Sequence, residues 1–146
     1  MKKILSITAI LFALSTSSFA QENEGNEHIN VPPVVKTALH KKYPEAKKVG
    51  WEKENGNFEA NWGGKDGEAN SVQFTSSGKF IEIVKEIPVN ELPKSTTAYI
   101  KGHYKNAKFG DIGRVTDANG KTSYEVEIHS KDVIFDENGN FVKEEK

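Results

Sequence analysis

The spacing of apolar residues along the chain switches between a helical period and a strand period. In VPPVVKTALHKKYPEA, Val35, Leu39 and Tyr43 fall on one helical face, and a proline then ends the element. From Val49 onward, apolar and polar residues alternate, which is typical of strands with one buried face. The pattern therefore predicts a helix from about Pro33 to Tyr43, followed by four strands.

The same order of elements recurs about 61 residues later in the chain. The segment VQFTSSGKF begins at Val72, and the matching segment VIFDENGNF begins at Val133. The alignment drifts in the middle, where the insertions fall in turns, as expected for a structural repeat. We predict a second helix from about Pro93 to Tyr104, and a single domain over residues 31–146 built from repeats 31–87 and 92–146.

Four short segments that contain glycine are predicted to connect the two strands of each hairpin. They read ENGN, SSGK, ANGK and again ENGN, and such residues tolerate the positive φ angles of tight hairpins. Each repeat is therefore expected to be a helix followed by two hairpins. An antiparallel sheet needs a cover on one face only. We predict an α+β fold in which tandem helix-plus-four-strand units form one antiparallel sheet, with two helices on one face.

The opposite face of this sheet is expected to be polar and open to solvent. We expect Glu127 and His129 to lie two residues apart on one strand of this face, beside Glu125. Carboxylates as open as Glu125 and Glu127 are not expected to have raised pKa values, because burial is needed for that. The residues predicted to line this face are Glu59, Asn61, Gln73, Glu125, Glu127 and His129.

The N-terminus has the pattern of a Sec-type signal peptide. Lys2 and Lys3 precede an apolar run from Ile4 to Leu14, and cleavage is expected between Ala20 and Gln21. The apolar run is shorter than the roughly 20 residues that cross a bilayer. We expect a flexible leader over residues 21–30 and a periplasmic or secreted protein. Since no cysteine follows the cleavage site, we do not expect a lipoprotein.

The charge balance and the lack of cysteine argue against several kinds of partner and site. The chain has 20 Lys and Arg residues against 21 Asp and Glu residues, and it has no cysteine. Because nucleic-acid binding depends on clustered basic residues, nucleic acid is not expected as a partner. The absence of cysteine removes disulfides and thiolate metal sites. We expect a monomer with no cofactor and no membrane insertion.

The duplicated block VPPVVKTALHKKYPEAKKVGWEKENGNFEANW…VQFTSSGKF, together with the signal peptide, resembles a known family. KKYPEAKKVGWE after a short proline-led helix, and a glycine-turn hairpin that ends in Phe, are similar to the PepSY-like, beta-lactamase-inhibitor-like proteins exported by Bacteroidetes-type bacteria. The resemblance covers roughly Val31 to Lys143. It implies a tandem helix-plus-sheet fold similar to beta-lactamase inhibitor protein, and it supplies no catalytic residues. The namesake inhibitor is disulfide-bonded, whereas this chain has no cysteine.

Few residues have a spacing that indicates chemistry. The four histidines lack partners at metal-ligand spacing. TDANG and DENGN contain parts of a calcium loop but lack its terminal Glu, and hairpin turns explain them better. GGKDG lies between two strands and not before a helix, so it is interpreted as a mobile loop and not as a phosphate cradle. Without a Gly-x-Ser-x-Gly elbow or a similar signature, we expect no catalytic or metal site and no enzyme.

The sequence therefore favours a non-catalytic exported module that binds another exported protein or peptide, as an inhibitor or regulator. It would use the helix-free sheet face or the loop from Gly63 to Asn70. The alternatives are an envelope small-ligand or metal-binding protein that uses acidic strand residues with His129, and a structural piece of a cell-surface assembly. The candidate partner-binding residues are Glu59, Asp66, Glu68, Glu125, Glu127 and His129.

Overall fold

A computed structural model describes residues 29–145 of the chain. The predicted signal peptide, the leader as far as His28, and the C-terminal Lys146 lie outside the described residues. Ile29, which the sequence assigned to the flexible leader, is half-buried and packs against apolar core residues. The packing around the first helix therefore includes Ile29, and the domain bounds of 31–146 stay a prediction.

Each helix is followed by four strands. Both helices have a proline as N-cap, Pro32 or Pro93, and basic residues in the last turn, where they complement the helix dipole. The elements are α1 (Pro33–Lys42), β1 (Gly50–Glu54), β2 (Asn57–Trp62), β3 (Asn70–Phe74), β4 (Phe80–Glu86), a short 3₁₀ turn (Val89–Glu91), α2 (Lys94–His103), β5 (Phe109–Asp117), β6 (Thr122–Ile128), β7 (Lys131–Asp136) and β8 (Phe141–Glu145).

All eight strands form one antiparallel sheet in sequence order, from β1 at one edge to β8 at the other. The four glycine-containing segments connect β1 to β2, β3 to β4, β5 to β6 and β7 to β8, as the sequence predicted. β4, which is apolar in sequence on both faces, pairs with β5 and so joins the two halves in the centre of the sheet.

Both helices cover the same sheet face. Val35 and Leu39 of α1 are buried with Ala60 and Val72, and Ile100 of α2 is buried in a second cluster with strands β5 to β7. The structure thus confirms the predicted α+β fold, with two helix-plus-four-strand units and the helices on one face. That the two units arose by duplication stays a prediction. No helix among residues 29–145 is long and apolar enough to cross a membrane.

The last hairpin turn of each half lies against the start of the helix of the same half. In the first half, a Cβ on Gly78 would lie 3.1 Å from the carbonyl oxygen of Val34. In the second half, Ser95 Oγ donates a hydrogen bond to the carbonyl of Asn138 at 2.7 Å, and Gly139 lies beside Thr96. Positive φ favours glycine in all four hairpin turns, and at Gly78 and Gly139 the contact with the helix also leaves little room for a Cβ.

We expect Gly139→Ala to destabilise the protein much more than Gly120→Ala does. Both glycines have φ near +80°, which costs an alanine about 1–2 kcal/mol. A Cβ on Gly120 meets nothing within 4 Å, whereas one on Gly139 would lie 2.6 Å from Thr96 Oγ1. Overpacking adds about 1–3 kcal/mol. Urea unfolding of both variants measures the difference, and equal losses would show that the turn does not pack tightly on α2.

Candidate functional site

The strand register places a dense set of carboxylates on the sheet face opposite the helices, which we call the carboxyl face. Lys143 is the one cation that the described strands place there, and its Nζ pairs with Glu145 at 2.5 Å. The carboxylates of this face are Glu52, Glu54, Glu59, Glu82, Glu86, Asp111, Asp117, Glu125, Glu127, Asp132, Asp136 and Glu145.

The centre of the carboxyl face is buried, which contradicts the prediction of an open, solvated face. Glu59, Gln73 and Glu125 are 6%, 1% and 3% exposed, although the helices lie on the other side of the sheet. Their burial comes from the sheet itself, because side chains of neighbouring strands crowd against one another when a sheet curls. Val84 and Ile134 of this face are buried in the same way.

Side chains of strands that are not neighbours in the sheet interact on the carboxyl face. Five strand-to-strand steps separate β1 from β6, so Glu54 and Glu125 would lie roughly 24 Å apart in a flat sheet. The charge of Glu54 nevertheless contributes to raising the pKa of Glu125. Gln73 of β3 also donates a hydrogen bond to Glu54 of β1 at 3.0 Å, although two strand-to-strand steps, roughly 9–10 Å, separate these strands. Both interactions indicate that the sheet curls and draws β1 toward the later strands over the carboxyl face.

A hydrogen-bonded polar cluster occupies the N-terminal half of the carboxyl face. Gln73 Nε2 donates to Glu54 Oε2 at 3.0 Å and to Glu59 Oε2 at 3.2 Å. Burial, followed by the charge of Glu59, raises the pKa of Glu54. Glu82, directly opposite Gln73 on the next strand, has its pKa raised to about 7 by burial and then by the charges of Glu59, Glu54 and Asp117.

Glu125 in the C-terminal half has the most unusual environment. Neither of its carboxyl oxygens has a hydrogen-bond partner among the described residues, and both are buried. Burial, followed by the charges of Asp132 and Glu82, raises the pKa of Glu125 to about 9. The residue opposite it on β5 is Gly113, where a Cβ would lie 2.6 Å from Val84. The expectation that Glu125 is too open for a raised pKa is wrong, because the curl removes it from water.

Glu127 and His129 do not share a strand face, contrary to the prediction. Glu127 lies on the carboxyl face and leans over Gly110, where a Cβ would come within 2.9 Å of its side chain. β6 ends at Ile128, and His129 and Ser130 form the tight turn to β7 with φ of +53° and +61°. Since a two-residue turn reverses the chain there, His129 is exposed at the end of the hairpin and is not beside Glu127.

The loop candidates Asp66 and Glu68 lie at a different place. They border a cavity of about 220 Å³ at the β1 edge of the sheet, away from Glu125. The other residues around this cavity are Lys48, Gly50, Trp51, Glu52, Asn61 and Gly67. Asp66 is exposed, and Glu52 and Asn61 belong also to the carboxyl face, so the cavity adjoins that face at its margin.

Within residues 29–145, no group of three or more His, Asp or Glu side chains is arranged to hold a metal ion. The aspartates of the two calcium-loop fragments serve their own turns. Asp117 Oδ1 accepts from the backbone N–H groups of Asn119 and Lys121, and Asp136 Oδ1 accepts in the same way from Asn138 and Asn140.

Sequence analysis missed two members of the site, Glu54 and Glu82. The alternation of β4 places Glu82 on the side opposite Ile83, so its face could have been predicted from the sequence. The burial of Glu82 could not, because it depends on how strands distant in sequence curl together. Glu54 was hidden in the ENGN turn signal, of which it is the first residue.

We expect the stability of the protein to fall between about pH 5 and pH 9, and Glu125→Gln to remove part of this fall. Since the pKa of Glu125 is raised from 4.5 to about 9, the folded protein holds this proton more tightly than the unfolded chain does. The resulting stability is complete below the unfolded pKa and is lost as pH rises through the folded one. Each unit of pKa difference corresponds to about 1.4 kcal/mol.

Glu125→Gln should therefore be more stable than the wild type at about pH 8.5, by at least about 2 kcal/mol, and the gap should close toward pH 5. Urea unfolding at several pH values measures this. Glu52→Gln, which makes the same change at an exposed position of the same face, is the matched control and should show no such gap. A Glu125→Gln variant that behaves like the control would mean that Glu125 is solvated.

Comparison with known proteins agrees with this architecture. A BLIP-like protein from Bacteroides fragilis has 24% identity and a TM-score of 0.65, covering 81% of this chain and 87% of its own. A "putative periplasmic" protein from Bacteroides eggerthii has 15% identity and a TM-score of 0.70, covering 79% and 88%. None of the curated proteins compared with this chain matches it. The family described as "Putative beta-lactamase-inhibitor-like, PepSY-like" matches residues 62–143, more than half of the sequence. The chain belongs to this PepSY-like, beta-lactamase-inhibitor-like family.

Proposed function

We propose that this protein is a non-catalytic exported module that binds another exported protein or peptide on its carboxyl face. The observation that carries the proposal is the set of buried, unpartnered acceptors at the centre of a face that no helix covers. More than about 90% of buried polar groups in proteins have hydrogen-bond partners. Leaving an acceptor unsatisfied costs about 1–3 kcal/mol. A partner that supplies donors recovers this free energy when it binds.

The family supports a binding role more than a catalytic one. Its name refers to an inhibitor, and a neighbouring fold is described as BLIP-like. Raised carboxyl pKa values also occur in catalytic sites. The catalytic alternative would need a second group within hydrogen-bond reach of Glu125, and its oxygens have no such partner in the described residues. The binding proposal therefore accounts for Glu125 with fewer assumptions.

We further propose that the protein acts outside the cytoplasm, in the periplasm or the medium, after cleavage between Ala20 and Gln21, and that it is a monomer. The pattern of residues 1–20 supports export. The "periplasmic" description of the Bacteroides eggerthii protein with the same fold agrees with it. The partner would then be found among exported proteins.

The face is tested by capture of exported proteins from the source organism on the immobilised protein. A double charge reversal, Glu127→Lys with Asp132→Lys, lies on the carboxyl face at half-buried positions and should abolish retention of the partner. The matched control is Glu45→Lys with Glu137→Lys, which makes the same charge change at exposed positions outside that face. If both double variants lose the partner equally, net charge and not the carboxyl face determines binding.

The cavity beside Asp66 and Glu68 favours a second candidate function, the binding of a small ligand at the β1 edge. Its volume of about 220 Å³ is smaller than the 300–1,000 Å³ of typical ligand pockets. Asp66→Ala with Glu68→Ala alters this cavity and leaves Glu125 unchanged. If this variant loses the captured partner and the carboxyl-face variant keeps it, the loop is the binding surface.

A further inference from the structure

The hydrogen-bond acceptors at the centre of the carboxyl face determine which chemical groups a partner must supply. The buried atoms without a partner on this face include Gln73 Oε1, Glu82 Oε1 and both carboxyl oxygens of Glu125. All four are oxygen atoms, and an amide oxygen or an ionised carboxylate accepts hydrogen bonds and cannot donate. A group that satisfies them must carry several N–H or O–H donors. A carboxylate or phosphate group would instead add negative charge to a face that already carries many carboxylates.

The negative charge around Glu125 indicates that the donor group of the partner is a cation. The groups that face Glu125 electrostatically come from four other strands, and all are acidic: Glu54, Glu82, Asp132 and Glu145. Lys143, the one strand cation of the described face, is occupied by its ion pair with Glu145. A positively charged side chain that enters this face therefore meets attraction from several sides. Repulsion excludes anions in the same way.

The ordinary basic side chains fit both requirements. An arginine guanidinium has five N–H donors and a lysine ammonium has three, and neither has an acceptor. Carboxylates bind the guanidinium through two oxygens at once, which matches the two unpartnered oxygens of Glu125. Val84, Val115 and Ile134 lie on the same face near Glu125 and make its surroundings apolar.

We propose that the carboxyl face binds a basic segment of an exported polypeptide, and that an arginine or lysine side chain of this segment donates hydrogen bonds to Glu125. The inference rests on the proposed function and names the chemistry of the partner. Gln73 Oε1 and Glu82 Oε1 accept hydrogen bonds from other donor groups of the same segment.

Binding of this kind releases protons. Burial raises the pKa of Glu125 to about 9 and that of Glu82 to about 7, so Glu125 is protonated in the free protein near neutral pH. A bound cation favours the ionised carboxylate and expels the proton. Besides the groups named above, Glu59 and Asp117 face Glu82, and they are acidic as well. Affinity for the basic segment therefore rises with pH until Glu125 is ionised in the free protein.

The test is calorimetric titration of the protein with a short, end-blocked peptide of alternating Arg and Ser. A peptide with citrulline in place of Arg has nearly the same shape without the charge, and a Lys version compares the two cations. We expect the Arg and Lys peptides to bind at least about tenfold more tightly than the citrulline peptide, since a hydrogen bond to a charged group is worth about that factor. Affinity should rise from about pH 6 to about pH 8.5.

Glu125→Gln should weaken binding of the Arg peptide about tenfold or more at pH 8.5 and lower the number of protons released. That number comes from titrations in buffers with different ionisation enthalpies. Glu52→Gln, the same substitution at an exposed position of the same face, should change affinity far less. Circular dichroism verifies the fold, and Glu82→Gln gives a second variant of the centre. Equal effects of Glu125→Gln and Glu52→Gln would overturn the inference, because the peptide would then bind the face by net charge alone.

Two other results would also overturn it. Spermidine that binds as tightly as the Arg peptide would mean that the face takes a free polyamine. A captured exported partner that needs the carboxyl face but is not displaced by the Arg peptide would refute the basic segment and leave the proposed binding function standing. Displacement of that partner by the Arg peptide, and not by the citrulline peptide, would support both.

Discussion

The curl of the eight-stranded sheet over its helix-free face is the constraint on which the site depends. Two ten-residue helices cover one face only, and the carboxyl face has no other cover in the described residues. β-bulges interrupt the register of three strand pairs, β3 with β4, β5 with β6 and β7 with β8. Bulges bend a strand and increase its twist. Glycines at 110 and 113 of β5 leave room for the side chains that the curl brings together.

Desolvation of the carboxylates is the direct consequence of this curl. On a flat sheet, Glu125 would be a solvated surface carboxylate, and its ionised form would not be disfavoured by burial. In the curled sheet it is 3% exposed and surrounded by other acids, so its ionised form is strongly disfavoured. A glutamine in the same place would avoid that cost. An acid that lowers the stability of the fold near neutral pH is explained if its charge is needed when a partner is bound.

The division between what the sequence predicts and what it does not follows the range of the interactions. Helix bounds, hairpin turns and the assignment of residues to faces depend on local spacing. Thus α1 ends within one residue of its predicted end at Tyr43, and Gly56, Gly78, Gly120 and Gly139 all take positive φ in hairpin turns. The chain's membership of the family was also predicted from local motifs, and it is confirmed.

The sequence predicted the facing of most strand residues of the carboxyl face, but it wrongly predicted that their surroundings are open to solvent. Alternation assigns Glu59 and Glu125 to the helix-free face but contains no information on curl, which depends on contacts between strands far apart in sequence. The predicted position of His129 was wrong for a local reason. Neither of the turn residues His129 and Ser130 is glycine, asparagine or aspartate, the usual signals for a turn with positive φ. Asp66 and Glu68 lie beside a separate cavity and His129 lies in an exposed turn, so the site residues predicted from the sequence fall into three places.

The protonation state of Glu125 is measured most directly by carbon-13 NMR of its side-chain carboxyl group. Protein labelled in its glutamate carboxyl carbons would be titrated with base, and the Glu125 signal identified as the one missing from Glu125→Gln. A midpoint well above 7, near the value of about 9, is the result expected for a desolvated carboxyl group. A midpoint near 4.5 would contradict it, because Glu125 would then be ionised and hydrated, and the carboxyl face would be an ordinary acidic surface.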